Sequence, residues 1–342
     1  MKGKTIQNIC AWATVYPALL LTSILGFIGL TTTQAQQESP SKQMFRLYLD
    51  NDFFAYRKED GGYSSGIRMD LFYQRSSERE SFFSNFLIKA GDSAINTHSW
   101  SIMQTMITSN DITREEWIEG DYPYSGSLFI SRALHSINSK KQYAIKTEWL
   151  VGIMGPKAYA GEAQTWFHDL IGDAKPMGWH HQMPTSVLVN LNLSIEKLIF
   201  SPAKTLEVMI GGDVYAGTLY NGVTFQSTIR LGRMMPYFSS YLNLFTSDGR
   251  LQAYFIIKPQ ASIVLHNTLL DGSLFHDYPA PDSAEGKTIS VSKSNTLVAG
   301  IDYGIVLSYG PVGFSFILNT NTGLVRNQPT KSMGNVALYF AL

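Results

Sequence analysis

Three short runs in this chain concentrate the side chains that can do chemistry. The first is Asp50-Asn51-Asp52, followed a few residues on by Asp60-Gly61-Gly62-Tyr63-Ser64-Ser65-Gly66. Aspartate and asparagine together offer hard oxygen donors of the kind that hold calcium. Turn formation alone also accounts for such a run, because Asx residues and glycines bend the backbone for conformational reasons. The second is Asp121-Tyr122-Pro123-Tyr124-Ser125-Gly126, which by itself reads as a turn carrying aromatic girdle residues. The third runs Tyr159-Ala160-Gly161-Glu162-Ala163-Gln164-Thr165-Trp166-Phe167-His168-Asp169-Leu170-Ile171-Gly172. It reads as a short helix that stops at its last glycine. Gln164 and His168 are four residues apart and so share a face. Trp166, Phe167, Leu170 and Ile171 give the helix apolar surface expected to pack on the rest of the fold. A histidine titrates near neutrality and can act as a general base; a solvated loop histidine is the plain alternative. His180 and His181, in Gly178-Trp179-His180-His181-Gln182, could bind a metal or be ordinary loop residues. His98, His135, His266 and His276 have no partner in sequence and are expected to be structural.

The elements that must position these runs alternate apolar and polar residues with period two, as strands do. Twelve such segments separated by turn signals fall at about 44–53, 65–73, 99–108, 126–137, 143–153, 186–199, 206–216, 223–231, 251–270, 296–309, 313–320 and 334–342. Pro259 could split the ninth into a hairpin; one long bent strand is expected, because an even count keeps both termini on one side. With the first strand running outward, odd-to-even connections are the extracellular loops, and all three chemical runs fall there. Turns such as Asn138-Ser139-Lys140 and Gly310-Pro311-Val312 fall on the periplasmic side. Long loops outside and short turns inside are the rule for membrane barrels. Two inside connections, near 76–97 and 232–250, are longer than that rule expects.

Composition agrees with an all-β transmembrane antiparallel barrel of twelve strands bearing a short helix on an extracellular loop. Aromatics make up 13% of the 342 residues. Beyond about residue 30 no run is long and apolar enough for a membrane helix. At the N-terminus, Lys2 and Lys4 precede an apolar stretch from Ile9 to Leu30 that ends in Thr33-Gln34-Ala35. That is the pattern of a cleavable export signal, so 1–35 is expected to be removed and 36–342 to form one domain. The single cysteine, Cys10, lies in that signal, which leaves no thiol nucleophile and no disulfide framework. The precursor has 27 basic and 27 acidic residues, so losing Lys2 and Lys4 leaves a net charge of −2. There is no basic excess for nucleic acid.

Taken in order, these runs resemble the outer-membrane lipid A 3′-O-deacylase family, the LpxR-like barrels. The resemblance is carried by Asp50-Asn51-Asp52-Phe53, Asp60 with Tyr63-Ser64-Ser65-Gly66, Tyr122-Pro123-Tyr124-Ser125-Gly126, Gly155-Pro156, and Gly161-Glu162 with Gln164, His168, Gly172, Gly178-Trp179 and Gln182. It spans about residues 45–185. It implies a monomeric outer-membrane barrel with its site between the outer rim and the loop helix, acting on lipid A or lipopolysaccharide. The implied reaction is hydrolysis of an ester-linked acyl chain at the 3′ position, with Ca²⁺ as cofactor. The family's Asn-Asp pair falls on Asn51 and Asp52, its strand hydroxyl on Ser64 and its histidine on His168. His168 is then the base, Asp52 a metal ligand, and Asn51 and Ser64 position substrate, metal or oxyanion by hydrogen bonds. Tyr124, Gln164 and Trp179 are expected to contact substrate. The family commonly has Tyr-Thr-Asn-Gly where this chain has Tyr63-Ser64-Ser65-Gly66, so Ser65 lacks the amide. A nucleophilic Ser64 or Ser65 activated by His168 stays open as an alternative mechanism. Another envelope lipid hydrolase or acyltransferase, and a porin-like barrel without activity, stay open as alternative functions.

Overall fold

The computed structural model describes residues 43–55, 62–75, 86–116, 118, 120–246, 249–275 and 294–342. The expected export signal, Asp60, Gly61 and His276 lie outside these residues. The described chain forms one closed antiparallel barrel of twelve strands in sequence order. They are β1 (Gln43–Asn51), β2 (Gly62–Tyr73), β3 (Ile95–Thr108), β4 (Ser125–Asn138), β5 (Tyr143–Met154), β6 (Ser186–Ala203), β7 (Leu206–Gly217), β8 (Tyr220–Arg233), β9 (Gln252–Asn267), β10 (Leu297–Tyr309), β11 (Val312–Asn321) and β12 (Lys331–Ala341). The wall closes where β1 pairs with β12, from Met44 opposite Ala341 to Asn51 opposite Gly334. Among the described residues two α-helices interrupt the strands, α1 (Ala160–Ile171) and α2 (Thr268–Asp271).

Period-two alternation sorts the side chains into two chemistries. Ile67, Met69 and Leu71 of β2, Trp100 and Ile102 of β3, and Ile130 of β4 are exposed on the outside, where hydrocarbon would cover them. Their neighbours point into the lumen and pair there. Asp70 binds both Arg46 and Arg68 at 2.7 Å, Arg68 reaches Glu148 at 3.0 Å, and Lys146 completes the group on Glu148 at 2.8 Å. Ser101 donates to Asp70 at 2.5 Å and Ser131 to Glu148 at 2.8 Å. Both buried carboxylates are thus paired with cations and hydrogen-bonded, the condition for burying ions without a prohibitive desolvation cost.

Details differ from the sequence expectation at element ends. The first segment was expected to reach Phe53, but β1 stops at Asn51 and Asp52–Phe54 is a 3₁₀ turn. Pro259 makes no hairpin. It sits on the outer face of β9 opposite Ile301. The ninth segment ends early, at Asn267, because the Asn267 side chain accepts from Leu269 N–H and starts α2.

Both long inside connections have tasks other than bridging strands. The β8–β9 connection folds into the lumen. Phe238 packs with Ile137 and Met209, the Tyr241 ring lies 4.1 Å from His135 and 5.0 Å from Phe72, and Phe245 stacks on Tyr339 at 4.1 Å. Glu207 holds it there by accepting from Tyr237 N–H at 3.2 Å and from buried Arg230 at 2.7 Å. The described part of the β2–β3 connection instead lies on the outside of β4 and β5, where Ala90 N–H donates to Ser136 at 2.8 Å and Ile88 N–H to Thr147 at 3.1 Å.

The opposite mouth is filled by Leu269 and Leu270 of α2, Val325, Tyr122 and Met183 packed on Ile107, Phe129 and Leu150 of the wall. Between the two plugs remains a cavity of about 490 Å³ with Tyr48, Asp50, Lys258, Asp302 and Asn335 among its lining residues. A water-filled pore needs the reverse arrangement. In planar bilayers the protein is expected to pass no steady ionic current; regular conductance steps would show that the plugs open. Phe238→Ala should lower stability by about 3–5 kcal/mol in urea titration of the folded barrel, as loss of a buried phenylalanine does.

Candidate functional site

Side-chain parity puts the candidate strand residues on the outside of the wall, not in the lumen. Asn51 follows Leu47 and Leu49 in the outward row of β1 and pairs with Ser65 of β2, which pairs in turn with Met106 of β3 and so toward Gly126 of β4. A bulge between Tyr63 and Ser65 shifts the register of β2, and bulges of this kind re-aim side chains. Tyr63 turns inward and donates to Asp50 at 3.2 Å. Ser64 lies on the outward side, with its buried hydroxyl on the Thr108 hydroxyl and, at 3.4 Å, on the Gly62 carbonyl. Ser65 donates to the Asp50 carbonyl at 3.2 Å.

The loop helix lies against this same outer face. Ala160 packs on Gly126 so closely that a side chain there would collide with it. Gln104, a polar residue in the outward row with Trp100 and Ile102, donates to the Ala158 carbonyl at 2.6 Å just before α1. The sequence reading did not single out Gln104 or Thr108; an amide in a lipid-facing row was the available signal. Trp179 joins the helix to the wall. Its indole N–H donates to Gln164 Oε1 at 2.7 Å, and its ring meets Tyr124 edge-on at 5.2 Å. Gly178 is glycine because the Tyr124 ring fills the space a side chain would need. Burial pushes the Tyr124 phenol up to about 12, so it stays protonated as a donor, and the Ile112 carbonyl accepts from it at 3.5 Å.

Gln164 is thereby fixed by its oxygen, and its NH₂ is left to donate. One turn on, His168 Nδ1 lies 2.6 Å from the Ala174 carbonyl. A carbonyl only accepts, so Nδ1 carries a proton, and Nε2 is the ring nitrogen left to take one up. Among the described residues Nε2 has no hydrogen-bond partner. The helix closes at Gly172, whose N–H returns to the His168 carbonyl.

Of the residues singled out in sequence, Tyr124, Trp179 and Gln164 contact one another, Ser64 meets Thr108 in the wall, and His168 lies one helical turn beyond Gln164 with the Ala174 carbonyl and the Phe167 ring beside it. Asn51 lies one strand away and Asp52 follows it at the head of the 3₁₀ turn, its carbonyl accepting from Ala55 N–H at 2.9 Å. His180 and His181 have their rings 3.7 Å apart, with His180 Nδ1 3.0 Å from the Met177 carbonyl. His98 meets Arg132 and Tyr73, His135 is in the lumen plug, and His266 meets Thr268. One expectation is corrected. Trp166, Phe167, Leu170 and Ile171 do not pack on the barrel; they are 63%, 44%, 62% and 52% exposed. The wall-facing side of α1 is made of Ala160, Gly161 and Gln164 instead, because only small or slender side chains fit a helix laid this close.

Among the described residues no three of His, Cys, Asp and Glu gather as a metal cage. A cation here would rest on the Asp52 carboxylate with neutral oxygens from Asn51 and the backbone. That all-oxygen set fits a hard, partly hydrated ion such as Ca²⁺ better than zinc.

A family model described as "Outer membrane protein LpxR" matches residues 19–342. Among solved structures, "LpxR from Salmonella typhimurium" superposes with a TM-score of 0.69 at 17% identity, covering 87% of this chain and 99% of that one. The β domain of the Bordetella autotransporter BrkA gives a TM-score of 0.46 at 6% identity, over 88% of this chain and 98% of that one. No curated protein sequence matches significantly.

The close seat of Ala160 on Gly126 yields a test. Gly126→Val should unseat α1 while leaving a folded, heat-modifiable barrel. Limited proteolysis should then cut within 155–185 at least several-fold faster than in the parent; an unchanged pattern would mean the helix is held by other contacts.

Proposed function

This chain belongs to the LpxR family of outer membrane proteins, and from that premise we propose that it is a lipid A deacylase that hydrolyses an ester-linked acyl chain at the 3′ position. The observation that carries the proposal is the fixed ring of His168. Its Nδ1–H is tied to the Ala174 carbonyl, which leaves Nε2 as a base on the face of α1 that also carries Gln164. In this reading residues 1–35 direct export and are removed, and the mature barrel acts as a monomer.

His168 Nε2 takes a proton from a water molecule as its oxygen attacks the ester carbonyl. The carbonyl double bond opens to a tetrahedral oxyanion. When the intermediate collapses, the bond to the sugar-side oxygen breaks, and His168 returns its proton to that oxygen, releasing a fatty acid and an alcohol. N–H donors from Gln164 and Asn51 are suited to the oxyanion, where preorganised donors have their largest effect. Tyr124 and Trp179 provide the floor against which the acyl chain lies. Ca²⁺ held by Asp52, with Asn51, would add Lewis-acid stabilisation of negative charge when bound. Ser64 serves as a positioning residue. Its hydroxyl is occupied in the wall by Thr108 and Gly62, and Ser65 is likewise committed to Asp50, which favours water over serine as nucleophile.

His168 lies outside the strands, so His168→Ala should insert and fold like the parent while releasing acyl chains about 10²–10⁴-fold more slowly. His98→Ala, His180→Ala and His266→Ala should fall far less. Parent-rate release by His168→Ala, read by mass spectrometry of lipid A, would remove the base assignment. Chelation with excess EGTA should abolish release and Ca²⁺ restore it; full activity in chelator would exclude the cation.

A further inference from the structure

The outward row of β3 carries a polar side chain at each end. At the extracellular end Gln104 donates to the Ala158 carbonyl. At the periplasmic end stand His98 and, on β4 opposite Trp100, Arg132. Arg132 shares its row with Ile130, which is 53% exposed. A guanidinium in a lipid-facing row is costly unless it sits near the membrane border. The proposed hydrolysis gives Arg132 no task.

Its register fixes its depth. Arg132 lies directly between Trp100 on β3 and Trp149 on β5. Tryptophans collect at the borders of a bilayer, where an apolar ring can keep its N–H in polar surroundings. The indole of Trp149 donates to the Phe86 carbonyl at 3.5 Å. From there the β2–β3 connection continues over Thr147 and Ser136, on the side toward the periplasm. Loop backbone of this kind does not stand against hydrocarbon. The row of Trp100, Arg132 and Trp149 therefore marks the level at which the acyl chains of the periplasmic leaflet give way to headgroups.

Every described partner of Arg132 is neutral. Its Nη1 donates to the Ser99 carbonyl at 3.2 Å and to the Ala133 carbonyl at 3.5 Å. Its Nη2 donates to His98 Nδ1 at 3.0 Å. Arginine only donates, so that ring nitrogen is unprotonated and the imidazole carries no charge. These bonds use three of the five guanidinium hydrogens. The charge itself lies against rings, 5.4 Å from the centre of Tyr73 and 5.3 Å from that of Trp100. A second guanidinium, Arg75, lies 5.7 Å from the same Tyr73 ring. Among the described residues no carboxylate pairs with either arginine. Two cations thus share one tyrosine at the lipid border, with charge and N–H donors left to satisfy.

We propose that Arg132 and Arg75, with the Tyr73 and Trp100 rings, form a site for the phosphate of an anionic glycerophospholipid of the periplasmic leaflet. Arginine grips phosphate oxygens through charge-assisted N–H donors, and basic side chains at a membrane surface favour lipids of net negative charge. A zwitterionic lipid brings its own ammonium toward the two guanidiniums and is the poorer match. The acyl chains of the bound lipid run along Trp100, Ile102 and Ile130, which are 50%, 43% and 53% exposed on this face. The site lies at the end of the wall away from α1, and no bond is made or broken in it. It ties the barrel to one leaflet at a fixed depth.

The test uses the full chain folded in an uncharged detergent, with bound lipid counted by native mass spectrometry. Phosphatidylglycerol is titrated against phosphatidylcholine of the same acyl chains, and inorganic phosphate is added as competitor in a third series. The parent should hold a phosphatidylglycerol at least about tenfold more tightly than a phosphatidylcholine, as two basic side chains at a lipid surface allow. Millimolar inorganic phosphate should not displace it. The preference should vanish when Arg75→Gln and Arg132→Gln are combined. Arg75→Gln alone, at an exposed position beyond the end of β2, puts folding at little risk and should lose several-fold of the preference. Lys140→Gln, in an exposed turn on the same side, should keep it. Equal binding of the two lipids by the parent would overturn the proposal. So would a preference undiminished in Arg75→Gln, or one that survives in the combined variant while it migrates as a heat-modifiable barrel. An equal loss in Lys140→Gln would replace the site by diffuse attraction, and displacement by inorganic phosphate would replace it by an anion site without lipid; either overturns the proposal.

Discussion

Hydrocarbon offers no hydrogen bonds, so a chain that crosses it must pair every backbone N–H and C=O within itself. The rest of this structure follows from that requirement. A sheet meets it only by closing, and here the closure is the β1–β12 seam with its eight register pairs from Met44 to Asn51. Closure then fixes side-chain parity around the ring. It also makes any polar side chain in the outward row a liability that needs cover. Gln104, Thr108, Ser64 and Tyr124 are such residues, and each is covered. The Ala158 carbonyl takes the Gln104 amide, Ser64 and Thr108 satisfy one another, and Trp179 and the helix seat bury Tyr124. The helix and the segment around it are the means by which these polar side chains can stand on the lipid face of a barrel.

Closure equally creates a lumen that must be filled or wetted. This chain fills it by two means. In the middle, Arg46, Arg68 and Lys146 pair with Asp70 and Glu148 across strands β1, β2 and β5. Removing one partner of such a set leaves an uncompensated buried charge and typically costs about 3–5 kcal/mol. At the ends, aromatic and aliphatic plugs come from connections, not from strands. A filled barrel resists deformation more than an empty one would, and rigid support is what the proposed site on β1, β2 and a loop helix requires.

Much of this was legible in the sequence because the bilayer imposes a simple pattern. Period-two alternation located all twelve strands, and parity placed the chemical runs at one end. Where the reading failed, the forces were not periodic. Asn267 caps a helix and so ends β9 early. Residues near 232–250 looked like an overlong turn because nothing local says that Phe238 and Tyr241 fold back into a lumen built by distant strands. The helix at 160–171 was evident from spacing, but its orientation was inverted. Four large apolar residues suggested a packing face, whereas the wall accepts only Ala160, Gly161 and Gln164. For the site, Gln164 and His168 stood out by their shared face. Thr108 did not, since its partner Ser64 lies 44 positions away and is aimed by a bulge.

The inverted helix has a physical logic of its own. Large side chains on the wall side would hold α1 away from β4 and leave a gap at Gly126. Small ones let it approach, and the bulky residues are displaced to a flank. In water that flank would weaken the fold by exposing hydrocarbon; against lipid the same residues cost nothing to leave unpacked, because acyl chains are as apolar as a protein core. Seat and flank are consequences of one choice, the placement of a slender-faced helix on the outside of a closed sheet.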